Sequence, residues 1–263
     1  MSACDSSSGT DAKQRSPRLV PPFAMMPLLR SRDWTKRFAG RGWPPVENWD
    51  YWIGFISTAG REIVPNIVGQ FRELNPEVEF SLRAILTVNQ IQMLETGSLD
   101  VGFLRLPIGG HSVLDVVTVH REPFVLVVPA SHKLAKRKRV RLREVSGEDF
   151  VMYERTYAPG FHDLIFGMLR DAGIVPNVSQ TAGEISTLTS LVAAHIGIAI
   201  VPASAVKHSV ASVIACEILD QIPMSEIGIA VSKGVRPAVI DNFRFFALEK
   251  LGRARKSLRA DES

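Results

Sequence analysis

The stretch Thr87 to Pro107, TVNQIQMLETGSLDVGFLRLP, constrains this chain most, because it sets a helical period directly ahead of a strand-like run. Ile91, Met93 and Leu94 recur on one side of a helix, and Gly97 is the expected stop. Val101 to Leu104 then reads as the uninterrupted apolar run of a parallel strand held between covering layers. The strand ends in Arg105. A helix that closes on glycine and feeds a buried strand tipped with a cation is half of an α/β ligand cleft. Many α/β folds contain such a unit, so its neighbours decide what it belongs to.

They continue the alternation. Residues 52–57, WIGFIS, read as a strand. REIVPNIVGQFRELNP (61–76) reads as a helix with Ile63, Ile67, Val68 and Phe71 on one face, and VEFSLRAIL (78–86) as an alternating strand. A second series begins near His120: PFVLVVPA as a buried strand, SHKLAKRKRVRLREV as a basic connection, and FVMYER as another strand. FHDLIFGMLRDAG is a helix closed by Gly173, VSQTAG a strand, ISTLTSLVAAHIG a second helix, and IAIVP a strand. IGIAVSKG adds one more strand, and PAVIDNFRFFALEKL a terminal helix carrying Ile240, Phe243, Phe246 and Leu248. Two α/β lobes in succession imply a ligand in the crevice between them, where helix N-termini offer unpaired N–H groups to an anion.

Composition excludes several classes. No run approaches the length of a membrane span. Leu19 to Leu29 imitates a signal peptide, but Pro21, Pro22 and Pro27 break its helix, so a cytoplasmic protein is expected. Two cysteines, Cys4 and Cys216, give no disulfide or metal framework. Six histidines stand at no ligand spacing, so no metal and no cofactor are expected. The net charge of +4 belongs to the ends. Residues 1–50 hold eight Lys/Arg against five Asp/Glu, and residues 250–263 hold five against two, so taking +3 from each leaves about −2 for the middle. The basic run Lys133 to Arg143 lacks interleaved aromatics and reads as a solvated surface rather than a nucleic-acid patch.

Five segments in this order, IGFISTAG, FRELNPEVEFSL, TVNQIQMLETGSLDVGFLR, EPFVLVVPASHKLA and LVAAHIGIAIVP, resemble the effector-binding domain of LysR-type transcriptional regulators over about residues 52–249. The resemblance implies an α/β chain of the periplasmic-binding-protein type 2 fold, two Rossmann-like lobes joined by two crossover strands. Lobe I would hold residues 52–120 and 223–249, lobe II residues 121–222, with an irregular leader over 1–51 and a basic tail over 250–263. It implies a small organic acid as effector, aromatic or dicarboxylic. It also implies a homodimer, packed through the helices at Glu62–Leu74 and Ser186–His195, or a mixed dimer with a full-length regulator. Family members carry a winged helix-turn-helix and a linker helix ahead of this domain. Residues 1–51 contain neither pattern, so the DNA-binding head is expected to be missing and no direct DNA contact is expected from this chain. His195 stands where the family usually has glycine at a helix end, which puts the local geometry there in question.

The candidate site follows from both lines of argument. Thr58 and Thr87 stand where strands turn into helices, so each hydroxyl either caps its own helix or meets an effector carboxylate, and Ser57 is a helper. The resemblance favours the effector contact at both threonines. Arg105 can pair bidentately with a carboxylate, of the effector or of a protein partner. In the matching lobe II loop Pro159, Gly160 and Phe161 form an apolar wall, unless Phe161 is simply a core residue, and Met224 is a weaker addition. No residue is assigned a catalytic role: no carboxylate pair, nucleophile elbow or phosphate loop accompanies these groups. The rival reading is a solute-binding receptor of the same fold for a small organic anion, which would require an export signal.

Overall fold

A computed structural model describes residues 50–110, 113–207 and 212–260, with side chains described from 51 to 252 within those ranges. The expected leader over residues 1–51 therefore lies almost wholly outside the described residues.

Alternation of strand and helix builds the first half as read. β1 (Asp50–Phe55) leads to α1 (Ile63–Leu74), β2 (Glu79–Ala84), α2 (Thr87–Glu95) and β3 (Val101–Leu106). Both β2 and β3 run parallel to β1, on opposite sides of it. Gly97 ends α2 with φ +70°, the left-handed conformation that glycine adopts without a Cβ penalty. β4 (Leu114–Glu122) and the late strand β11 (Ser225–Ser232) complete a five-stranded sheet in the order β2-β1-β3-β11-β4, with β11 antiparallel to both its neighbours.

The second sheet, β6-β10-β5-β9, uses β5 (Phe124–Pro129), β6 (Arg139–Val140), β9 (Ala199–Pro202) and β10 (Val213–Ile218). The parallel pair β7 (Asp149–Tyr153) and β8 (Asn177–Ala182) joins its edge through a bridge between Phe150 and Ile198. α3 (Pro159–Asp171) and α4 (Ile185–Ala193) belong to this half. The chain crosses between the sheets twice, from β4 to β5 through Pro123 and from β10 to β11. α5 (Ala238–Ala260) returns to the first sheet and continues into the stretch expected as a tail.

Each sheet has its own core. Under α2 lie Ile91, Leu94, Leu99 and Leu104, with Met93 partly buried beside them. On the α1 side Phe71 meets Phe243 and Phe246 of α5, ring centres 5.2 and 5.5 Å apart in edge-to-face geometry. Burying aromatic faces this way fixes α5 to the sheet. The second core gathers Leu126, Val127, Phe150, Phe161, Leu169 and Cys216.

Several sequence readings change in the folded chain. The buried face of α1 begins at Val64, not Ile63, which is only partly covered in the first turn. β2 was expected to alternate, but as an edge strand it is largely exposed, and Leu82 is uncovered. The basic connection contains two 3₁₀ turns and the short strand β6. Its cations meet acids: Lys133 pairs with Glu148 at 2.6 Å, Arg139 with Glu217 at 3.0 Å, and Arg137 with Glu144. His195 does take the glycine conformation, φ +62°, at the end of α4.

Candidate functional site

Strand order determines where a ligand can sit. The chain leaves β1 toward β2 on one side and later enters β3 on the other, so the crevice beyond the carboxyl ends of β1 and β3 is uncovered by either crossover helix. Ser57 and Thr58 lie on the turn just past β1, and Arg105 lies near the end of β3. The turn is pinned by the Ile56 N–H donating to the Phe103 carbonyl at 3.0 Å and by the Ala59 N–H donating to the Ile56 carbonyl at 2.9 Å.

Arg105 organises the site. Its side chain is 3% exposed. Nη2 donates to Thr58 Oγ1 at 2.6 Å and Nη1 donates to Ser225 Oγ at 2.8 Å, so both bonds go to neutral hydroxyls. Ser225 is the first residue of β11, on the second crossover, so this one guanidinium ties the cleft turn to the connection between lobes. Burial lowers the Arg105 pKa to about 10, with the charge of Glu122 acting against that shift, and the group stays cationic at neutral pH. Glu122, at the end of β4, accepts from the Ser204 N–H at 2.6 Å and its hydroxyl at 2.9 Å. Burial works against its charge, but the hydrogen bonds from His120 and Ser204 and the Arg105 charge outweigh it, holding the carboxyl below its usual range.

A cleft of about 450 Å³, mouth included, opens beside these groups. Ser57, Thr58 and Arg105 line it from the first lobe, Tyr153 and Glu184 from the second. Ser57 Oγ donates to Glu184 Oε2 at 2.5 Å, a bond that spans the cleft. Burial, and then the Glu184 charge, push the Tyr153 phenol up to about 12, so it is a neutral hydroxyl at any physiological pH.

The sequence-expected residues divide. Ser57, Thr58 and Arg105 come together in the cleft wall. Thr87 lies behind it, buried, with its hydroxyl accepting the Arg105 backbone N–H at 3.2 Å. Neither threonine caps its helix: the residues flanking α1 and α2 are Glu62 and Leu86. The Val88 N–H of α2 is already taken by the Tyr157 carbonyl at 3.4 Å. Pro159 and Gly160 open α3, and Gly160 packs so closely on the first lobe that a Cβ there would lie 2.1 Å from the Pro107 carbonyl oxygen. Phe161 is a core residue, 1% exposed, tilted against Phe124 and edge-to-face with Tyr153, although its ring centre lies 5.0 Å from the Arg105 guanidinium carbon. Met224 is 43% exposed and does not line the cleft. Sequence reasoning missed Glu184 and Tyr153. An acid just ahead of a helix reads as a favourable dipole contact, and a tyrosine in a strand reads as core, so neither carried a separate signal. Among the described residues no cluster of three or more His, Cys, Asp or Glu is placed to hold a metal, and no helix is long and apolar enough to cross a membrane.

Residues 52–252 match the family model described as the LysR substrate binding domain. The chain is 36% identical over 158 residues to the HTH-type transcriptional regulator TtuA of Agrobacterium vitis, covering 60% of this chain and 52% of that one. It is 29% identical over 188 residues to the HTH-type transcriptional regulator CatR of Pseudomonas putida, covering 71% and 64%. The chain thus spans about half to two thirds of the length of these curated relatives. Among solved structures it is similar to the BenM effector-binding domain with its effector benzoate, at TM-score 0.68 and 25% identity over 79% of this chain and 92% of that one. The effector-binding domain of QuiR in complex with shikimate shares the fold, at TM-score 0.72 and 22% identity over 79% and 99%. Family model, relatives and fold agree on one assignment: this chain belongs to the LysR substrate-binding-domain family, the effector-binding part of transcriptional regulators, which are not enzymes.

Proposed function

We propose that this domain binds a small organic acid between its lobes and transmits the binding through the crossover strands. The observation that carries the reading is Arg105, a buried guanidinium whose hydrogen bonds go to two neutral hydroxyls at the wall of an open cleft. A buried cation without a bonded anion is costly, and a carboxylate docking there satisfies it with charge-assisted, bidentate geometry. Thr58 and Ser57 supply further hydroxyls at the same place. The similar BenM domain holds benzoate, a carboxylate of this class.

In this reading lobe I comprises residues 52–120 and 223–249 and lobe II residues 121–222. Because Arg105 also donates to Ser225 at the start of β11, a ligand that draws the guanidinium toward the cleft weakens a bond at the crossover. That bond couples occupancy to the relative position of the lobes, the kind of population shift by which a regulator reports its effector. The reading includes self-association of the domain, with itself or with a longer relative, as the output surface.

The test is a thermal-shift screen of the protein against aromatic, hydroxylated and dicarboxylic acids, repeated with Thr58→Val. An acid at a hundred times its Kd stabilises by about 2.7 kcal/mol, enough to raise the melting temperature by several degrees. The expected result is a shift in the native protein that Thr58→Val removes or reduces at least about tenfold in apparent affinity. A cooperative melt that no acid moves overturns the reading.

A further inference from the structure

We infer that Glu184 makes the cleft bipolar, so that the effector is a monocarboxylate carrying a hydroxyl or ammonium donor a few bonds from its acid group, and dicarboxylates are turned away. This rests on the effector reading above and narrows its ligand class. Two consecutive hydroxyls are bonded to groups of opposite charge: Ser57 Oγ donates to Glu184 Oε2 at 2.5 Å, and Thr58 Oγ1 accepts from Arg105 Nη2 at 2.6 Å. Cation and anion therefore flank one turn and line the same cleft.

Glu184 is delivered to this place by lobe II. It precedes α4, but its side chain makes no capping bond to that helix and instead lines the cleft. Among the described residues its side chain has the Ser57 hydroxyl as partner and no cation within ion-pair distance. A carboxylate offers about four acceptor sites, so one hydroxyl leaves acceptor capacity for a ligand's O–H or N–H. Tyr153, which lines the same cleft, is a neutral phenol that feels both charges, and its hydroxyl can donate to a carboxylate or accept from a guanidinium. An acid group seated on Arg105 therefore places the far end of the ligand against Glu184. A donor there gains a charge-assisted bond; a second carboxylate meets a like charge.

The experiment is calorimetric titration of the native protein and of Glu184→Gln with four probes on one ring: benzoate, 3-hydroxybenzoate, 3-(aminomethyl)benzoate and isophthalate. In the native protein the hydroxyl and aminomethyl compounds bind at least about fivefold tighter than benzoate, and isophthalate at least about tenfold weaker than either. Glu184→Gln keeps shape and hydrogen bonding while removing the charge. It gains affinity for isophthalate by about tenfold or more and loses the preference for the aminomethyl compound. Isophthalate binding the native protein as tightly as 3-hydroxybenzoate, or the same ranking in both proteins, overturns the assignment of Glu184 while leaving the acid site intact. Failure of all four probes to bind either protein overturns the acid site itself.

Discussion

Gly160→Ala is the substitution whose effect the geometry fixes best. Gly160 is the second residue of α3, and a Cβ built there lies 2.1 Å from the backbone oxygen and 3.0 Å from the carbonyl carbon of Pro107 in the loop after β3. An ordinary contact needs about 3.2 Å or more, so α3 and that loop must separate by roughly 1 Å, and neither obstacle is a flexible side chain that can swing away. The two elements belong to different sheets, so the separation acts on the lobe–lobe contact itself. Overpacking of this kind costs about 1–3 kcal/mol, against which alanine recovers at most about 1 kcal/mol of helix propensity. In a domain of this size each kcal/mol corresponds to about 2–4 °C, so a net fall of up to about 12 °C is expected in thermal unfolding followed by circular dichroism. Gly167 in the same helix provides the internal control, since a Cβ there meets nothing within 4 Å. Gly167→Ala should stabilise by about 0.5–1 kcal/mol. If Gly160→Ala raises the midpoint as Gly167→Ala does, the close approach between lobes does not exist as described.

Two further substitutions test separate parts of the fold. His195 holds φ +62° at the end of α4, a conformation that costs a Cβ-bearing residue about 1–2 kcal/mol, so His195→Gly should raise stability by about 1 kcal/mol in urea unfolding with an unchanged m-value; a loss of stability would show that the imidazole contributes more than the backbone strain. The Glu122 carboxyl titrates below its usual range in the folded chain, so its contribution is present above the unfolded pKa and disappears as pH falls through the folded one. Stability should therefore decline below about pH 4.5 in the native protein, and the decline should be shallower in Glu122→Gln, read by urea midpoints across an acid pH series. Equal acid slopes in the two proteins would remove Glu122 from the account of that decline.

Local periodicity made much of the architecture legible. The helix stop at Gly97, the buried run of β3 and the apolar stripes of α1 and α5 all come from neighbours in sequence, where the spacing of side chains along a helix or strand is set by backbone geometry alone. The left-handed conformation at His195 was signalled only by the resemblance, which has glycine at that helix end. β4, β6 and β10 were not identified, because their partners are distant along the chain and their own patterns are weak. β4 alternates only partly, and β6 is two residues long.

The site divides along the same line. That Thr58 and Arg105 belong at one cleft could be argued from strand ends, yet their bonds depend on partners contributed by remote segments. Arg105 is oriented by Ser225, 120 residues away, and Ser57 meets Glu184 across 127. Nothing in a run of neighbouring residues distinguishes an acid that supports its helix dipole from one that lines a cleft. Phe161 and Thr87 show the converse: residue types suited to a ligand were enclosed by packing once the two sheets closed on each other. The sequence determined the two-lobed α/β plan and the cation at its centre, because short-range periodicity and composition encode both. The tertiary structure alone decided which charges face each other across the cleft, because electrostatic pairing depends on distance in space and not on separation along the chain.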